Sequence, residues 1–144
     1  MDHVAIMKKS WGLTPKILSG KKTIESRWYK NKAIPWDRIK AGDIMYFKNS
    51  GEQVTLKANV RKVLQFENLR PSRVRGILNE YGQEDGINHK DTSKFYQLFK
   101  GKRYCILMFL ENAQSVEPFN INKSGFGAMS AWITVDDIKS IKKG

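Results

Sequence analysis

The chain is poor in the residues that build metal and disulfide frameworks. A single cysteine, Cys105, excludes an internal disulfide. The only other soft ligands, His3 and His89, lie far apart without paired spacing, so no metal site is expected. Within the apolar run from Tyr104 to Leu110, Cys105 reads as a buried, inert thiol, and its isolation points to a reducing cytoplasm. No hydrophobic run approaches the ~20 residues that span a bilayer. The start Met1-Asp2-His3-Val4 lacks the basic-then-apolar order of a secretory signal, so neither secretion nor a membrane partner is expected. Acids are scarce as well: 14 against 26 Lys and Arg leave a net charge of +12. Residues 1–72 hold 15 of the basic residues and 6 of the acids. A field of that sign draws polyanions such as RNA, DNA or a phosphorylated small molecule. Solubility alone is the competing explanation, because net charge governs association and not fold.

With 144 residues, 40% of them hydrophobic, the chain supports one core, and a single domain over 1–144 is expected. Residues 3–7 are β-compatible, and Lys8, Lys9, Ser10 and Trp11 break toward a short helix. In the helix that follows, Thr14 is a candidate cap and Pro15 suits the first helical position. Ile17 and Leu18 supply apolar contacts, and Gly20 fits a left-handed exit. From Thr23 to Tyr29 a strand places Thr23, Glu25, Arg27 and Tyr29 on one face and Ile24, Ser26 and Trp28 on the other. A Gly42-Asp43 turn opens a strand over 44–47, and a long one follows from Val54 to Phe66 with one dry and one wet face. Pro71 opens a helix with Val74, Ile77, Leu78 and Tyr81 at helical spacing, ended by Gly82. Residues 82–90 read as polar loop. A short helix capped near Asp91 or Thr92 then directs Phe95, Leu98 and Phe99 inward and stops at Gly101. The run 104–110, apolar at every position, is a strand covered on both faces, and a last strand lies around 131–135. The pattern is α+β: a small, mostly antiparallel β-barrel of five to six strands with two to three short flanking helices.

Three local motifs fail their tests. Ser19-Gly20-Lys21-Lys22-Thr23 has Pro15 where a phosphate-binding P-loop needs glycine, and no hydroxyl residue directly after Lys21. The run Gly125-Phe126-Gly127-Ala128 lacks the strand-to-helix context of a dinucleotide fingerprint. Glu84-Asp85-Gly86 offers too few oxygens for a calcium loop and reads as a solvated turn.

What remains is Gly20-Lys21-Lys22-Thr23-Ile24-Glu25-Ser26-Arg27, with Gly42-Asp43 downstream. This segment resembles the ASCH family of the PUA-like superfamily, whose signature G-x-K-x-x-E-x-R is matched by Gly20, Lys22, Glu25 and Arg27. The element order is compatible from about residue 3 to residue 135. The resemblance implies a PUA-like barrel with helices beside a cleft and an RNA-related role, with no cofactor. One branch resembling this motif hydrolyses the amide of N4-acetylcytidine with the motif lysine, a threonine and a glutamate. Lys22 matches that lysine, Glu25 stands where the threonine would be, and Glu80 is a loose candidate for the glutamate.

On their own chemistry, Glu25 and Arg27 share a strand face and either clamp a ligand or form a structural ion pair. Lys22, in the helix-to-strand turn, either projects its ammonium into a cleft or is a solvated surface lysine. Among the tryptophans, Trp28 reads as core, and Trp11 beside Lys8 is the better stacking face for a base. Ser130 and Trp132 follow a glycine-rich turn that admits a ligand close to the backbone or merely joins two strands. The candidate nucleic-acid-binding set is therefore Lys8, Trp11, Lys21, Lys22, Glu25, Arg27, Ser130 and Trp132. Two readings follow: a module binding RNA or a modified nucleoside, and an enzyme, either an amidohydrolase or a ribonuclease. For an enzyme, Lys22 and Glu25 are the catalytic candidates, with Glu80 and Ser130 weaker.

Overall fold

The computed structural model describes residues 1–127 and 129–143. Among the described residues, seven strands, β1 (Asp2–Met7), β2 (Ile24–Tyr29), β3 (Ile44–Asn49), β4 (Val54–Phe66), β5 (Tyr104–Ile121), β6 (Trp132–Val135) and β7 (Lys142–Lys143), combine with helices α1 (Leu13–Ser19), α2 (Pro71–Tyr81) and α3 (Thr92–Phe99). The sheet runs β2-β5-β4-β3-β1-β6, with β7 attached to the far end of β5. All pairings are antiparallel except β1 with β3. It is a curled mixed sheet flanked by three helices, the α+β architecture expected of a PUA-like fold. The strand count exceeds five to six because the two-residue β7 joins, and one pair is parallel. No helix among the described residues is long and apolar enough to cross a membrane.

Alternation along the strands explains why so many are apolar at successive positions. In β5, Ile106, Met108 and Leu110 join the interior cluster with Ala5, Met7, Ile17, Met45, Phe47, Leu56 and Ala58. The intervening Cys105 and Leu107 face the opposite way, into a second cluster with Val74, Ile77 and Leu78 of α2. A strand buried on both faces cannot show a polar alternate. β3 behaves likewise, sending Met45 and Phe47 inward and Tyr46 to a third cluster with Phe119, Ile121 and Ile133. In β4 the dry face holds through Val60, and then the register shifts between Val60 and Lys62. Beyond that bulge Leu64 and Phe66 pack toward α2.

Several local expectations are revised. α1 begins one residue before Thr14, after Gly12 at φ 61, so Pro15 lies within the first turn and Thr14 does not cap. The Thr14 hydroxyl instead reaches Asn49 Oδ1 at 3.5 Å. Gly20 does close α1 in the left-handed region, at φ 84. Leu18 and Leu98 are exposed rather than inward, whereas Phe95 and Phe99 pack against the α2 cluster. The segment 82–90 is not simply polar loop, since Asp85 and Ile87 are buried and His89–Asp91 form a 3-10 turn.

Candidate functional site

β2 and β6 are the two ends of the main strand path, and they are not paired with each other. Arg27, on the inward-facing side of β2, spans the seam between β2 and the β1–β6 edge. Its guanidinium donates to the carbonyls of Ile6 at 3.3 Å and Ala131 at 3.2 Å. It also holds Glu25 Oε2 through Nε at 3.1 Å and a terminal nitrogen at 3.0 Å. The two-residue period that places Glu25 and Arg27 on one face makes this fork geometry available.

Lys22 is 1% exposed. Its ammonium donates to the carbonyls of Ile24 and Asp85, each at 2.6 Å, and to Asp85 Oδ1 at 2.5 Å, and Glu25 Oε1 lies at 3.1 Å. The outer oxygen of Asp85 accepts from Ser26 Oγ at 2.5 Å, and Ser26 accepts from the Trp28 indole at 3.1 Å. The result is a buried polar chain from Trp28 through Ser26, Asp85, Lys22 and Glu25 to Arg27. Its two cations face two carboxylates, so the chain is charge-balanced when all four are ionised.

Burial alone would lower the Lys22 pKa, but Asp85 and Glu25 outweigh it and raise it. Burial would raise the Glu25 carboxyl, yet Lys22 and Arg27 on either side hold it below its ordinary value. For Asp85, burial dominates, and the charge of Glu25 adds to it, so its pKa is raised despite Lys22. A lysine kept protonated in this way is a poor general base near neutral pH.

Above this floor lies a cavity of about 290 Å³. Its wall carries the rings of Trp11, Trp28, Tyr29, Phe95 and Phe99, and Lys8 and Arg27 also line it. Trp28 stacks on Phe99 with centroids 4.7 Å apart, and Trp11 meets Phe95 edge-on at 5.3 Å. Lys8 stands over the Trp11 ring at 5.4 Å. Trp28 is thus both core and cavity wall, and Trp11, whose setting looked polar in sequence, packs against α3. The cavity lies at the small end of the range for ligand pockets, suited to one ring system and its sugar rather than to a length of polymer.

The structure brings together six of the candidates on or beneath this cavity. Lys8, Trp11, Lys22, Glu25 and Arg27 line it, and Trp132 lies beneath Arg27, whose guanidinium is 5.1 Å from the indole. Trp132 itself is buried and donates to His3 Nδ1 at 3.2 Å. His3 Nε2 lies 2.8 Å from Asp43 Oδ2, which favours the protonated ring, but burial outweighs it and lowers the His3 pKa. Lys21 is exposed on a different groove, with Lys16 and His89. Ser130 is absent from the cavity wall and turns its hydroxyl onto the carbonyl of Trp132 at 2.7 Å. Glu80 is exposed on α2, also outside the wall. The carboxylate that meets Lys22 is instead Asp85, which sequence reading took for part of a solvated turn. Nothing local distinguishes it, because its partners Lys22 and Ser26 are some sixty positions away. Ala128, in the glycine-rich turn, lies outside the described residues.

No family model and no curated protein sequence matches the chain. Solved structures do. The ASCH protein of Zymomonas mobilis superposes with a TM-score of 0.66 at 16% identity, over 96% of this chain and 90% of that one. A point mutant of the same protein gives 0.68 at 16% identity, over 96% and 93%. The N-terminal domain of Staphylothermus marinus McrB gives 0.51 at 11% identity, over 83% and 76%. At these identities the likeness is one of architecture, and on that footing the chain has the ASCH-domain fold.

Proposed function

We propose that this protein is a PUA-like nucleic-acid-binding domain that takes a single base, free as a nucleoside or unstacked from RNA, into the cavity beside β2. The observation that carries the reading is the juxtaposition of an aromatic wall with a charge-balanced polar floor. Rings bind a base through its faces, and the floor addresses its edge. The floor is rich in acceptors: Asp85 receives one bond on each oxygen, from Lys22 and Ser26, and a carboxylate has room for about four. A base edge bearing N–H groups fits such a floor better than one bearing only carbonyls. Lys8 at the rim is placed for an adjoining phosphate. ASCH relatives in fold, and the name carried by the Zymomonas protein, support a reading within this superfamily.

The hydrolytic alternative needs Lys22 to accept a proton or attack a carbonyl. Its three hydrogens already face four acceptors, and its pKa is raised. Binding is therefore the reading the geometry supports. Isothermal titration with cytidine, uridine, adenosine and guanosine tests it. At least one is expected to bind, and Trp11→Ala is expected to weaken that binding by about fivefold or more, the loss of one base–aromatic stack being worth about 1–3 kcal/mol. Absence of binding by any of the four, or an unchanged affinity in Trp11→Ala, contradicts the reading. Deacetylation of N4-acetylcytidine by the same preparation transfers the site to the hydrolytic class.

A further inference from the structure

Away from the cavity, the segment 61–75 carries Arg61, Lys62, Arg70, Arg73 and Arg75 against a single acid, Glu67. None of these five cations has a carboxylate within ion-pairing distance among the described residues, and Glu67 itself pairs with Lys32 at 3.8 Å. Four of them sit over aromatic rings. The bulge in β4 makes Arg61 the extra residue between Val60 and Lys62, so two consecutive cations flank the one ring that β5 presents there. Arg61 lies 5.4 Å and Lys62 5.3 Å from the centre of Phe109. Phe109 meets Tyr81 of α2 edge-on at 5.9 Å. Arg73 stands 5.0 Å over Phe66, and Arg75 4.1 Å over Tyr96. All five cations are exposed.

We infer that this face, from the β4 bulge across to α2, is a second nucleic-acid contact that tracks the phosphate backbone of single-stranded RNA. Rings beneath the cations restrain them without neutralising them, as carboxylates would, so their charge remains available to an outside anion. Lys62 and Phe66 are four residues apart on β4, so the row extends roughly 13 Å at the usual strand rise. That is a linear array suited to successive phosphates rather than a pocket for one. No acid among the described residues pairs with these cations, and Glu67, the one acid within the segment, pairs with Lys32 instead. The inference shares with the cavity reading only the class of partner, and either can fail without the other.

The test is fluorescence anisotropy of a labelled twelve-nucleotide oligouridylate, titrated with the full chain at several salt concentrations. Removing three charges by Arg61→Gln, Lys62→Gln and Arg73→Gln together is expected to make the slope of log affinity against log salt shallower by about two, since each single-strand phosphate contact contributes about 0.7. Each single substitution is expected to give about a third of that change, which keeps the test intact if the triple variant folds poorly. A control with Lys90→Gln, Lys94→Gln and Lys139→Gln removes the same charge elsewhere and is expected to leave most of the slope in place. Equal slopes for the wild type and the triple variant, an equal loss in the control, or no binding of the oligonucleotide by the wild type overturns the inference. Nucleoside titration of the same variant separates the two sites. Unchanged nucleoside affinity with a shallower RNA slope is the expected pattern, and RNA binding without nucleoside binding sinks the cavity reading while leaving this face standing.

Discussion

Three hydrogens on the Lys22 ammonium confront four acceptors, and that decides what this lysine does. It cross-links β2 to the loop after α2 and neutralises Asp85, so removing it leaves a buried carboxylate without its counter-charge, a loss of about 3–5 kcal/mol. Lys22→Ala is expected to abolish cavity binding by disrupting the floor itself, which is why Trp11 is the cleaner probe. Glu25, held below its ordinary pKa against burial by Lys22 and Arg27, makes stability depend on pH in a defined direction. Its contribution is present above the unfolded carboxyl value of about 4.3 and is lost as pH falls through the lower native value. Urea unfolding is therefore expected to show Glu25→Gln less stable than the wild type at pH 7, with the gap narrowing below about pH 4. A gap that stays constant to pH 2 rejects the assigned charge state. Asp85 acts oppositely: its raised pKa means that the native state holds a proton more tightly, so its share of stability declines as pH rises through the interval between the unfolded and native values. Of these residues, Lys22, Glu25 and Arg27 were legible from a compact motif. Asp85 was not, because a Glu-Asp-Gly sequence carries the same turn signature whether water or Lys22 receives the carboxylate.

At the scale of elements, the site is an agreement between β2 and the loop 82–90. The carbonyl of Glu84 accepts from the amides of Thr23 at 2.8 Å and Ile24 at 3.0 Å, so the loop docks on the start of the strand and delivers Asp85 beneath it. Gly86 makes the approach possible. Its φ is +83, and a Cβ there would lie 3.2 Å from Lys22 Cδ and 3.3 Å from Lys22 Cβ. Gly86→Ala is expected to cost about 1–3 kcal/mol from the left-handed backbone alone, and to weaken cavity binding by displacing Lys22. A thermal midpoint equal to that of the wild type contradicts this role. Strand parity was readable in β2 because Glu25 and Arg27 alternate with Ile24 and Trp28. Helix boundaries were less so. Thr14 is a good cap by type, but Gly12 already starts α1 in the left-handed region, which a threonine two positions later cannot do. Leu98 shows the limit of periodicity in a helix of eight residues: it falls beside Phe95 and Phe99 in sequence yet turns to solvent.

For the whole molecule, a net charge of +12 is the reason to expect a polyanion, but it does not say where charge would act. The motif cations Lys22 and Arg27, both candidates for nucleic-acid contact from the sequence, are balanced by Glu25 and Asp85. Arg61, Lys62 and Arg73, by contrast, sit over rings and pair with no carboxylate among the described residues, and contacts of this kind between distant segments leave no mark in a local pattern. The cavity and the outer face should thus differ in their response to ionic strength, because screening and counterion release act on net charge. The most direct test of the charge-balanced cavity is the affinity of a nucleoside bearing a carboxylate on its base, measured by calorimetry beside its neutral parent at 50 and 500 mM salt, values chosen on the order of one decade apart to bracket physiological screening. Binding of the anionic nucleoside no tighter than its neutral parent at either salt is the predicted result, and tighter binding at the lower salt that falls tenfold or more at the higher, the signature of an uncompensated cationic site, contradicts it.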